Sequence, residues 1–243
     1  MLGLIYIAHL DATTPEQAWP LQSPGPGEPD WLALNLGKHD MWEFCDPLRE
    51  DGCFREMLVQ MASWGDGSGD GADSGAMFTP DELKDGGFPN IRSDILAMLG
   101  LQRSTTRIWQ NEQDQEEQHE DGDGAEQETP SPSPSNPYYR AANILSQLMP
   151  LEYSPRNLLK FAAFTHYTTS AFRALWGRKD PGALILIVYW YAKAVPSPYW
   201  WIRKRALLEC QAICIYMERH HSDIPHLDDI LQFPKTTCGL STI

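Results

Sequence analysis

"DPGALILIVYWYAKAVPSPYWWIRKRALLECQAIC", Asp180 to Cys214, is the most apolar and most aromatic part of the chain, and its reading decides the fold. Asp180-Pro181 opens a helix, with proline at a first-turn position where no amide donor is needed. From Gly182 to Val195 the run is 14 residues long and already interrupted by Lys193. A helix that crosses a bilayer needs about 20 apolar residues, so this one is too short to span. A rod that is apolar on nearly every side belongs at the centre of a helical bundle. Pro196 and Pro198 then force a break before Tyr199.

The helix that follows is expected to be amphipathic. Ile202, Ala206, Cys210, Ile213 and Met217 make its apolar stripe, while Lys204, Gln211 and Glu218 face away. Cys210 and Cys214, four apart on the stripe side, read as small core hydrophobes. Metal binding would require two further ligands converging on them, and none is evident in the sequence. Trp200 and Trp201 point about 100° apart on successive helical positions, so one can enter the core while the other covers a groove. Large rings of this kind also make good walls for an apolar ligand. Arg203 lies in the same first turn, where it either snorkels outward or clamps an anion beside a cavity.

Working outward, the upstream segments are helical as well. Tyr139, Ala142, Leu145 and Leu148 share one face. Ser154-Pro155 is expected to open one long helix with the stripe Leu158, Phe161, Phe164, Phe172 and Leu175, ending near Gly177. "DWLALNLGKHDMWEF" and "CFREMLVQMA" read as two earlier helices, "TPDELK" as a capping box from Thr79 to Glu82, and "SDILAMLGL" as a further helical run. No stretch alternates with period two, so a sheet has no source. The expected class is all-α: an irregular multi-helix bundle with a long disordered acidic insert. Residues 1–103 and 138–243 form the two helical parts of one domain, and 104–137 form the insert.

That insert carries most of the charge. The 243-residue chain has a net charge of −14, and nine acidic residues fall between Arg107 and Arg140, where there is no Lys or Arg. The remainder carries about −5 by subtraction. Such a globule offers no basic face to a phosphate backbone, which argues against direct nucleic-acid binding. The insert ends in "TPSPSPSNP" and has too few apolar residues to order itself. Five cysteines, an odd count, and no N-x-S/T acceptor argue for reduced thiols. "MLGLIYIAHLDA" lacks a basic residue before its short apolar run, so it reads as a helix and not a signal peptide.

Catalytic and metal signatures are weak. Asp66, Ser68, Asp70 and Gly71 begin like a calcium loop, but Asp73 and Met77 break the register. His166 has no nucleophile to pair with. Asp228 and Asp229 lack the third acid of a diphosphate-binding motif and read as first-turn residues of a short helix, favoured by its dipole. No P-loop, G-x-S-x-G or G-x-G-x-x-G is present. The chain is therefore expected to be non-catalytic, with no metal and no cofactor.

The C-terminal hundred residues carry an ordered set of segments. Phe172 and Leu175 are followed by Arg178, Asp180, Pro181, Ala183 and Leu184, then Trp200-Trp201, then Phe233-Pro234 at the close of a short helix. Further back stand Trp31, Leu32, Gly37, Pro47, Leu48 and Phe54. This order resembles the regulatory domain of fungal zinc-cluster transcription factors, most nearly the sterol uptake control proteins, over about half of the chain. The resemblance implies an all-α effector domain in the nucleus, shuttling with the cytoplasm. It would control transcription by RNA polymerase II through protein partners of the transcription machinery, and would sense a sterol or other lipid between helices. On that reading the ligand-lining candidates are Phe161, Phe164, Tyr189, Trp200, Trp201 and Arg203. The family's six-Cys zinc cluster and basic linker are not in this sequence, so the chain is expected to be either a fragment or a homologue without DNA binding. Two alternatives stand beside it. One is a metal-dependent all-α enzyme on isoprenoid-like substrates, suggested by the aromatic content and Asp228-Asp229. The other is a ligand-free interaction module forming a homodimer through an exposed aromatic face.

Overall fold

The computed structural model describes residues 11–22, 29, 32, 49–50, 55, 87–102, 135–154, 157, 160–161, 164–165 and 168–240. Among them are a 3-10 turn, Pro15–Gln17, and six α-helices: α1 Ser93–Met98, α2 Tyr139–Leu148, α3 Ser170–Gly177, α4 Pro181–Ala194, α5 Trp200–His220 and α6 Leu227–Cys238. There is no strand among the described residues, so the class is all-α. No described helix is long and apolar enough to cross a membrane. Several expectations lie outside the described residues: the two early helices, the Asp66–Met77 loop, the Thr79–Glu82 capping box, Cys45, Cys53, His166 and the insert up to residue 134.

The whole arrangement is built around α4. Twelve of its fourteen residues are buried, from Gly182 through Ala192 and again at Ala194. Helices α1, α2, α3, α5 and α6 all pack against it. Each Leu, Ile or Val so enclosed contributes about 1.5–3 kcal/mol relative to exposure. The start of α4 is fixed by Asp180, whose carboxylate accepts the Ala183 amide at 3.1 Å and the Tyr138 hydroxyl at 2.7 Å. Gly182 follows because a Cβ there would lie 2.8 Å from a Leu99 methyl and 3.0 Å from the Tyr138 ring. The close approach of α1 and α2 to the first turn of α4 thus depends on a missing side chain. As expected, α4 stops at Ala194 and the next helix begins only after Pro198.

Two features differ from the sequence reading. The long helix expected from residue 154 to 177 is interrupted: Phe161, Phe164 and Thr165 are helical, but Thr168 and Thr169 are not. Thr169 adopts an extended conformation and caps α3, its hydroxyl accepting the Phe172 amide at 3.1 Å. Thr168 donates to the Thr165 carbonyl at 3.0 Å, so two threonine hydroxyls compete with the helical ladder where it breaks.

The far end of α3 falls at Gly177, as expected, and Lys179 takes the left-handed position that closes it, with φ +58°. Its amide donates to the Trp176 carbonyl and the next amide, of Asp180, to the Leu175 carbonyl. The buried Lys179 ammonium donates to the Pro20 carbonyl at 2.9 Å and lies 5.4 Å from the Tyr216 ring centre. Desolvation holds its pKa below the usual lysine value.

The second difference is α6, which does not end at Phe233-Pro234 but continues to Cys238. Proline at 234 cannot donate to the carbonyl of Ile230, four residues back. The Tyr189 hydroxyl of α4 supplies that donor instead, at 2.8 Å. One side chain of the central helix therefore allows a proline inside its neighbour.

Candidate functional site

The six ligand-lining candidates separate into distinct groups. Phe161 and Phe164 are buried and meet through Trp190 of α4. Phe164 stacks on the Trp190 indole at 5.2 Å, and the indole N–H donates to the Phe161 carbonyl at 3.0 Å. From Phe164 the rings continue edge-to-face through Phe172 and Trp176 to Trp19, each step about 6.3–6.4 Å. Such pairs are worth about 0.5–1.5 kcal/mol each beyond the area they bury. Tyr189 is buried too, but it points toward α6, where it lies 5.4 Å from the Phe233 ring. Adjacent positions on a helix diverge by about 100°, so Tyr189 and Trp190 serve opposite neighbours. Trp200 is 78% exposed and Arg203 is exposed, so neither joins this aromatic group. The Trp201 side chain lies outside the described set.

The expectation for α5 needs a correction. Its stripe of Ile202, Ala206, Cys210, Ile213 and Met217 is buried as expected. A second face is buried as well: Leu208 and Ala212 pack on Ala12 and Ala18, with Leu21 at the margin. Enclosed between these faces are two charged residues, Arg205 and Glu209, at 5% and 1% exposure. They form an i,i+4 ion pair, and the other Glu209 oxygen accepts the Tyr191 hydroxyl of α4. Burial, and then the Glu209 charge, push the Tyr191 phenol well above its usual pKa. The signal was in the spacing, because 202, 205, 206, 209 and 213 lie on one continuous helical arc.

Asp228 and Asp229 occupy the first turn of α6, as expected, and both are exposed. Asp228 lies 3.5 Å from the Lys235 ammonium and Asp229 lies 3.7 Å from the His226 imidazole. They face solvent instead of a cavity floor.

The sequence reading placed Cys210 and Cys214 in the core without further ligands. A third thiol in fact joins them. Cys238, on the last turn of α6, brings its sulfur to the pair, and all three ligand atoms lie within 4.8 Å of one another. All three residues are buried. Hydrogen bonding with the Cys210 thiol and then the Cys214 thiol draws the Cys238 pKa below its usual value, while those of Cys210 and Cys214 move up. The Cys238 thiol also donates to the Lys235 carbonyl at 3.6 Å. Cys238 escaped notice because α6 was expected to stop at Pro234. Extended past it, 227, 230, 231, 234 and 238 form a single buried stripe.

Comparison with known proteins found no match: no family model, no curated protein and no solved structure is similar to this chain.

Proposed function

We propose that the chain is the regulatory, non-catalytic domain of a transcription factor of the fungal zinc-cluster type, acting in the nucleus through protein contacts and responding to a sterol or other apolar molecule. One observation carries this reading. The segments that resemble the family coincide with the joints of one packed unit: Asp180-Pro181 opens α4, Trp200-Trp201 opens α5, and Phe233-Pro234 lies within α6. These three helices pack on one another. Ligand binding beside the aromatic group of Phe161, Phe164 and Trp190 would favour one packing of the bundle over another, a population shift between repressed and activating forms.

The isoprenoid-enzyme alternative has less to stand on, since Asp228 and Asp229 face solvent. The interaction-module alternative is favoured by the exposed Trp200 and the partly exposed Phe233. Fusing the chain to an unrelated DNA-binding domain in a fungal host, with a reporter gene, tests the proposal. Reporter output that changes on sterol depletion is the expected result. Output that ignores sterol, with no lipid extractable from the purified protein, would leave the interaction module as the better reading.

A further inference from the structure

We propose that Cys210, Cys214 and Cys238 form a three-sulfur site for Cu(I), joining α5 to α6. The first argument is convergence. Two thiols one helical turn apart on α5 meet a third from α6, with all three sulfurs within 4.8 Å of one another. Random burial of small hydrophobes does not require three sulfurs to share one point.

The second argument is that Cys238 is held in place twice. Gln211 of α5 donates its amide to the Cys238 carbonyl at 2.8 Å. Immediately after it, Gly239 adopts φ +76°, and the Leu240 amide returns to the Lys235 carbonyl at 2.9 Å. The closing turn of α6 and a side chain from α5 therefore both fix the third sulfur against the other two.

The third argument selects the ion. Among the described residues no His, Asp, Glu or further Cys completes the group, and the surroundings are the apolar core. Zn(II) takes four ligands, usually with a nitrogen, sulfur or oxygen in the fourth position. Thiolate-rich sites of lower coordination suit a soft ion, of which Cu(I) is the cellular example. Binding moves no electron: copper enters and remains as Cu(I), the sulfurs stay at the thiol level of oxidation, and protons of the coordinating thiols pass to water. Cys238 borders the exposed Gly239, so the ion would enter from that end.

The site is independent of the apolar-ligand reading, and its test reads the metal alone. The full chain is purified without oxygen under a non-thiol reductant and titrated with Cu(I) against a coloured Cu(I) chelator. The expected stoichiometry is one ion per chain. Cys214→Ala and Cys238→Ala should each weaken binding by at least about 100-fold, the upper range for losing even an outer-shell partner. A Cys45→Ser/Cys53→Ser double variant should bind like the wild type. X-ray absorption on the wild-type complex, which needs no variant to fold, should show three sulfur neighbours and no nitrogen or oxygen. Failure to compete with the chelator would overturn the assignment, as would dependence on Cys45 or Cys53. So would a preference for Zn(II) with a fourth, non-sulfur neighbour.

Discussion

At the scale of single residues, burial of charge distinguishes this chain from a simple apolar bundle. Glu209 serves two partners inside the core, Arg205 and Tyr191. Removing one member of a buried ion pair costs about 3–5 kcal/mol, because the remaining charge stays out of water. Glu209→Ala should therefore lower the free energy of unfolding by that amount, whereas Tyr191→Phe, which spares the ion pair, should cost about 1–2 kcal/mol. Urea denaturation followed by circular dichroism measures both. Trp200 provides the contrast. It is 78% exposed, and exposed positions without special features change stability by no more than about 0.5 kcal/mol. Trp200→Ala should leave the unfolding midpoint nearly unchanged, and a larger loss would mean that the indole packs against something in solution.

At the scale of helices, the informative element is α6. Its interior proline is tolerated because Tyr189 donates to the Ile230 carbonyl. In the wild type, Tyr189→Phe should cost about 1–3 kcal/mol, the penalty for a buried acceptor losing its donor. In a Pro234→Ala background, where the backbone amide at 234 can reach that carbonyl, the same change should cost distinctly less. A double-mutant cycle by chemical denaturation reads the difference. The same element shows what the sequence disclosed and what it did not. The run from Gly182 to Val195 announced a buried centre because it has no polar face to lose. The break at Thr168 and Thr169 was hidden, because the apolar spacing of Phe164, Phe172 and Leu175 continues across it. The convergence of Cys238 was hidden for another reason: proline is a helix breaker in isolation, and its tolerance here comes from a tyrosine 45 positions earlier. Nothing in residue type marks Arg205 and Glu209 as buried, because it cannot show that residues 12–21 cover their helix from the other side.

At the scale of the whole molecule, buried and half-buried phenols set an upper pH limit. Desolvation raises Tyr138, Tyr153 and Tyr191, and pushes Tyr189 up to about 12. A tyrosine whose folded pKa exceeds its unfolded value of 10 favours the folded chain fully below pH 10. That contribution falls away as pH rises from 10 through about 12. The melting temperature should accordingly hold through neutral pH and drop steeply above pH 10, with tyrosinate absorbance appearing together with unfolding instead of before it. Parallel titration and melting would contradict this if phenolate formed while the helices stayed intact.

The enclosure of α4 also has a consequence during synthesis. Two of the helices that cover it, α5 and α6, follow it in the chain, ending at His220 and Cys238. At translation rates of about 5–20 residues per second, a half-covered greasy cylinder waits roughly 2–9 s for its lid. Nascent chains halted after Pro198 should accordingly be captured by chaperones or precipitate, while those released after Leu240 should stay in the supernatant.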